Sequence, residues 1–180
     1  MVEIALRRPV AVAPGSCWRA LPALTRFSLR VDLDAAAARV ADLMPIALAP
    51  CRAIVRGNWA TLWLGPDEQL LIGPDQAGPA LIAAVTSALQ GVPHSLVDVS
   101  HRQGAIEVTG PSAAAMLNAG CPLDLGLAAT PVGFCSRTVL AKAEIVLWRR
   151  NEDCFQLQAW RSFLPYVTAF LALAAQEYSD

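Results

Sequence analysis

Lysine is nearly missing from this 180-residue chain: Lys142 is the only one, and every other basic side chain is arginine. Charge of both signs is scarce, at 16% with a net charge of −1, where a free-standing domain carries about 25%. Without a basic excess there is no electrostatic footprint for nucleic acid. A surface so poor in charge leaves room for a buried interface with another chain. The two histidines, His94 and His101, fall in no zinc-ligand spacing, and no Cys-x-x-Cys pair exists. Cys17, Cys51, Cys121, Cys135 and Cys154 are odd in number and widely separated, as buried reduced thiols of a cytosolic protein would be. Met1 to Arg8 carries Glu3 and two arginines around a short apolar run, which is not a secretory signal, so a cytoplasmic location is expected. The longest uncharged stretch, Gln76 to Val97, is broken by Gly78, Pro79, Gly91 and Pro93, which excludes a membrane span there. Gly65-Pro66-Asp67 and Gly73-Pro74-Asp75 have neither the glycine spacing nor the strand-to-helix setting of a dinucleotide or phosphate site. No FAD, NAD or metal is therefore expected in this chain. Ser100 and His101 are adjacent, and neighbours on a strand point to opposite faces, so they form no nucleophile–base pair.

What is present reads as strands and helices in alternation. Pro9, Pro14 and Pro22 punctuate residues 1–24, which show no sustained periodicity and suggest an extended N-terminal arm. Two units with the same order of elements follow, over residues 25–100 and 101–180. Arg26 to Asp32 and Gln103 to Thr109 alternate as strands, and each precedes an alanine-rich helix, Asp34 to about Leu43 and Pro111 to Ala119. A hairpin comes next in each: Trp59 to Leu64 with Gln69 to Ile72, then Glu144 to Arg149 with Cys154 to Trp160. Each unit closes on an apolar helix, about Pro79 to Leu89 and about Phe163 to Ala175. The pattern predicts an α+β fold of two ferredoxin-like βαβ-hairpin-α units sharing one compact sheet system.

The most informative stretch is Val97 to Asp124. Val97 and Val99 alternate with Asp98 and Ser100, which places the two polar side chains on one face, and Ile106 and Val108 alternate with Glu107 and Thr109. Gly110-Pro111 opens a helix, and Gly120, followed by Pro122, is expected to close it in a left-handed conformation. This run resembles the folate-binding fold in the N-terminal part of the glycine cleavage T protein, where a similar Asp-Val-Ser-His segment leads into a strand and a helix. It is still more similar to the gamma subunit family of heterotetrameric sarcosine oxidase. Further blocks carry that likeness in order: Trp63 to Leu71, Val97 to Arg102, Cys121 to Leu125, Arg137 to Glu144, Trp160 to Phe163, and Pro165-Tyr166. They span roughly Phe27 to Tyr178.

The resemblance implies a folate-binding-domain-like accessory, or assembly, subunit of a complex that oxidatively demethylates sarcosine to glycine. It implies flavoprotein alpha, beta and delta subunits as partners. FAD, FMN, NAD and zinc would belong to those partners, and tetrahydrofolate would take up the one-carbon unit within the complex. No catalytic residue is expected in this chain. The T protein carries adjacent aspartates where this chain has Ala143 and Glu144, and it is about twice as long, so folate turnover here is not implied. A residual ligand pocket would draw on Asp98, Ser100, Arg137, Lys142 and Glu144; the alternative is hydrogen bonding by Asp98 and Ser100 within a turn, and a solvated hairpin edge for the others. Trp160, Arg161, Phe163 and Tyr166 form an arginine-aromatic corner suited to a subunit interface. Ser162 is placed to cap the last helix. Two other readings stay open: a stand-alone folate-binding module, and the matching subunit of a complex acting on another N-methyl amino acid.

Overall fold

The computed structural model describes residues 11–13, 16–75 and 78–178. In chain order the elements are β1 (Ala11–Ala13), β2 (Ser16–Ala20), β3 (Thr25–Val31), α1 (Leu33–Val40), β4 (Ala53–Arg56), β5 (Trp59–Gly65), β6 (Glu68–Gly73), α2 (Gly78–Ala88) and β7 (His94–Asp98). They continue with β8 (Gln103–Thr109), α3 (Ala113–Asn118), β9 (Cys135–Leu140), β10 (Ala143–Asn151), β11 (Cys154–Trp160) and α4 (Leu164–Ala174), the last flanked by short 3-10 turns. None of the described helices is long and apolar enough to cross a membrane.

The chain divides into two units. The first comprises Ala23–Arg102 with Gly133–Ser136; the second comprises the described residues up to Pro22, Gln103–Val132 and the described residues from Arg137 on. The first holds an antiparallel sheet in the order β4-β5-β6-β3-β7. Taking β3, β5, β6 and β7 in turn, this is the ferredoxin-like order with β4 added at one edge. Phe27, Leu29 and Val31 alternate along β3 into a core completed by Leu33, Ala36 and Val40 of α1 and Leu81 and Val85 of α2. The inward residues of α1 recur at helical spacing, and Asp32 caps its start by accepting the N–H groups of Asp34 and Ala35, each at 3.1 Å. The second unit holds the order β1-β2-β8-β11-β10-β9, in which β10-β11-β8 repeats the arrangement β5-β6-β3. Its core is Ile106, Val108, Leu147, Phe155 and Leu157 under Met116, Leu117, Val167 and Leu171.

The α+β class and its ferredoxin-like units are those read from the sequence, with the strands in two separately hydrogen-bonded sheets. Part of the expected arm is structured: Ser16–Ala20 pairs with β8, Trp18 enters the core, and Leu21 N–H continues the ladder to the Ala105 carbonyl at 2.9 Å. Residues 1–10, 14 and 15 of that arm lie outside the described residues.

Local chemistry corrects three details. Val97 is 51% exposed, because β7 ends at Asp98 and Leu96 is the residue that packs inward; Val99 is buried beyond the strand end. Gly120 is not left-handed; the positive φ belongs to Gly110, at 109°. Glycine is required at 120 because a Cβ there would lie 2.5 Å from Phe170 Cζ and 3.0 Å from the Ala141 nitrogen. Ser162 makes no cap, since it lies in a 3-10 turn ahead of α4, whose N-cap position is Phe163.

Candidate functional site

Asp98 and Ser100 stand where β7 gives way to the turn before β8. The Ser100 N–H donates to the Asp98 carboxylate at 2.8 Å, and the Arg26 N–H donates to Ser100 Oγ at 2.8 Å. Hydrogen bonding from the Ser100 hydroxyl, and after it from the Ser100 N–H, holds the Asp98 carboxyl below the usual carboxylate range. Both side chains thus brace the turn, which the Arg102 N–H closes onto the Val99 carbonyl at 3.0 Å. Both belong to the first unit. Arg137, Lys142 and Glu144 belong to the second, on the two arms and the tip of the β9–β10 hairpin, and all three are exposed.

Trp160, Phe163 and Tyr166 are 46%, 41% and 38% exposed, with Arg161 exposed between them. They surround the entry to α4. Tyr166 is also tied to the hairpin tip, its hydroxyl accepting the Lys142 N–H at 3.3 Å. Below this corner Val167, Leu171 and Ala174 face the core, so α4 buries one stripe on its own unit and leaves apolar groups outside it.

Arg149 and Arg26 are held inside the fold. Arg149 is buried; its guanidinium donates to the Leu125, Thr130 and Glu152 carbonyls and to Thr130 Oγ1, and it stacks on Phe155 at 4.6 Å. Desolvation lowers its pKa. Burial likewise pulls Arg26 down to about 10 and pushes the Cys135 thiol up to about 12. Cys51, Cys121, Cys135 and Cys154 are all free thiols. Among the described residues no group of three or more His, Cys, Asp or Glu side chains is placed to hold a metal ion.

One concavity went unread in the sequence. A cleft of about 560 Å³ in the first unit is lined by Asp32, Asp34, Leu48, Pro50, Trp63 and Asp67, among others. Its only sequence signal was the turn Gly65-Pro66-Asp67.

With this geometry, comparison with known proteins is decisive. The model of the sarcosine oxidase, gamma subunit family matches residues 31–177. The chain belongs to that family. A curated family member, the sarcosine oxidase subunit gamma of Corynebacterium sp. (strain P-1), is 32% identical over 173 residues, covering 96% of this chain and 81% of the relative. The solved heterotetrameric sarcosine oxidase from Corynebacterium sp. U-96, in complex with pyrrole 2-carboxylate, is similar at a TM-score of 0.84 and 29% identity, over 96% of this chain and 89% of that one. The glycine cleavage system aminomethyltransferase T from Bartonella henselae matches at a TM-score of 0.66 and 12% identity, over 92% of this chain and 50% of that one, a likeness of fold alone. The gamma subunit family and the T protein thus share the architecture described above.

Proposed function

We propose that this chain is the gamma subunit of a heterotetrameric sarcosine oxidase, an accessory and assembly subunit of a cytoplasmic complex that oxidatively demethylates sarcosine to glycine. The observation that carries this reading is likeness along nearly the whole chain, in sequence to curated gamma subunits and in fold to a chain of the solved heterotetramer. The flavins, the NAD and the zinc of the complex then belong to the other subunits. The want of a phosphate-binding glycine motif in this sequence agrees with that. The corner of Trp160, Arg161, Phe163 and Tyr166 supplies aromatic and arginine anchors of the kind that dominate subunit interfaces.

Co-expression with the alpha, beta and delta subunits tests the reading. The chain is expected to co-purify in a stoichiometric complex with sarcosine-dependent oxidase activity, and omitting it is expected to lower the yield of that complex. The isolated chain is expected to show no flavin absorbance and no oxidase activity. A complex that forms and turns over equally well without the chain overturns the proposal. Tetrahydrofolate binding is the separate arm for Asp98, Ser100, Arg137, Lys142 and Glu144. Binding by the isolated chain that is lost in Glu144→Gln would point to a folate-binding module in place of an assembly subunit.

A further inference from the structure

In the first unit, the loop between α1 and β4 is held in place by buried polar side chains of β5 and β6. Gln69, fully buried on β6, grips Ala47 from both sides, accepting its N–H at 3.3 Å and donating to its carbonyl at 2.5 Å. Thr61, fully buried on β5, donates to the Pro45 carbonyl at 2.8 Å. The residue after this clamp, Leu48, is held 52% exposed at the edge of the cleft. Anchoring the loop backbone in this way leaves the apolar Leu48 side chain half exposed to water. It removes in advance the ordering cost that a partner would otherwise meet on covering that side chain.

The charged side chains that line the cleft are all acidic. Asp32, Asp34 and Asp67 line it. Arg30 pairs with Asp67 at 3.2 Å and with Glu68 at 2.7 Å. Asp32 spends its carboxylate on helix N–H groups, and the Asp34 carboxylate has no partner among the described residues. An apolar side chain beside the unpartnered Asp34 carboxylate calls for a cationic, partly apolar occupant. A second copy of this chain across a two-fold axis would set these carboxylates against one another.

We propose that this cleft is a docking site for an extended arginine- or lysine-bearing segment of another subunit of the complex, with Leu48 as the apolar contact and Asp34 as the charge partner. The inference rests on the assembly reading above and adds a second contact surface, on a different unit from the α4 corner. Leu48→Ser and Asp34→Arg test it, because both side chains are exposed and the variants are expected to melt close to the parent. In the co-expressed complex, each is expected to weaken binding of this chain to the remaining subunits tenfold or more. Raising the salt from 50 to 300 mM is expected to weaken the parent more than Asp34→Arg. Oxidative footprinting is expected to show Trp63 protected on assembly. Variants that bind as the parent does, with Trp63 equally oxidised in the free and assembled chain, overturn the proposal while leaving the assembly reading intact. A parent chain that does not assemble overturns both. Concentration-dependent self-association abolished by Leu48→Ser overturns it in favour of a second copy. Trp63 protection in the isolated chain that disappears on removing residues 1–10, which include Arg7 and Arg8, overturns it in favour of the chain's own N-terminal segment.

Discussion

Ala141 sits at φ +52°, left-handed, at the tip between β9 and β10, with its N–H on the Gly120 carbonyl at 2.8 Å. An L side chain in that region costs about 1–2 kcal/mol, while glycine costs about 0.5–1 kcal/mol in the freedom it brings to the unfolded chain. Ala141→Gly is therefore expected to stabilise by about 0.5–1 kcal/mol, read as a higher melting temperature. Gly120→Ala is expected to destabilise by about 1–3 kcal/mol through overpacking against Phe170. That outcome follows from side-chain crowding, which no turn rule applied to the sequence contains. Asp98 gives a pH dependence. Its folded pKa is depressed, so the stability it contributes is present above its unfolded pKa and is lost as pH falls through the folded one. The stability difference between the parent and Asp98→Asn is thus expected at pH 7 and should vanish in acid, measured by denaturant titration at several pH values.

Elements differed in how far their sequence disclosed them. Strand β8 was legible to the residue, because it lies between β2 and β11 and its Ile106 and Val108 have to alternate into the core. Strand β7 was not, because it is an edge strand ending at Asp98; the Val97–Val99 alternation runs across the strand end into a turn, where period two has no meaning. Helix α4 is apolar nearly all round in sequence, which suggested burial on several sides by its own unit; the structure buries one stripe, Val167, Leu171 and Ala174, and leaves Leu173 exposed. Its two sides should separate cleanly on mutation. Leu171→Ala is expected to cost about 2–5 kcal/mol as a core cavity. Leu173→Ala, at a side chain 65% exposed, should change stability by no more than about 0.5 kcal/mol.

On the scale of the whole molecule, the α+β class was legible because hairpin and helix signals follow each other twice in the same order. The cleft was not, because its walls come from three separate stretches, at 32–34, 48–50 and 63–67, that only folding brings together. The buried roles of Arg26 and Arg149 were hidden too, since composition counts an arginine as surface charge whether or not carbonyls enclose it. Arg161→Ala tests the assembly surface at this scale. Loss of one interface anchor costs about 2 kcal/mol or more, so binding to the flavoprotein subunits is expected to weaken roughly thirtyfold with the melting temperature unchanged. A lower melting temperature with assembly intact would make Arg161 an internal brace.

Strand β2 finds its partner far along the chain: Arg19 meets Glu107, 88 residues later. Residues 133–136 return to the first unit, where the Ala53 N–H reaches the Gly133 carbonyl at 2.8 Å and the Cys135 N–H the Cys51 carbonyl at 3.0 Å. On the ribosome, the strand at Ser16–Ala20 must therefore wait for its β8 partner until that strand has been synthesised, and the first unit cannot finish before residue 136 has emerged. Closing loops of that length makes folding slow and exposes strand edges meanwhile. Cutting the gene at residue 102 would not yield two independent domains, since each product would lack a segment of its own sheet or edge. The polypeptide is laced so that it folds as a whole, late in its synthesis.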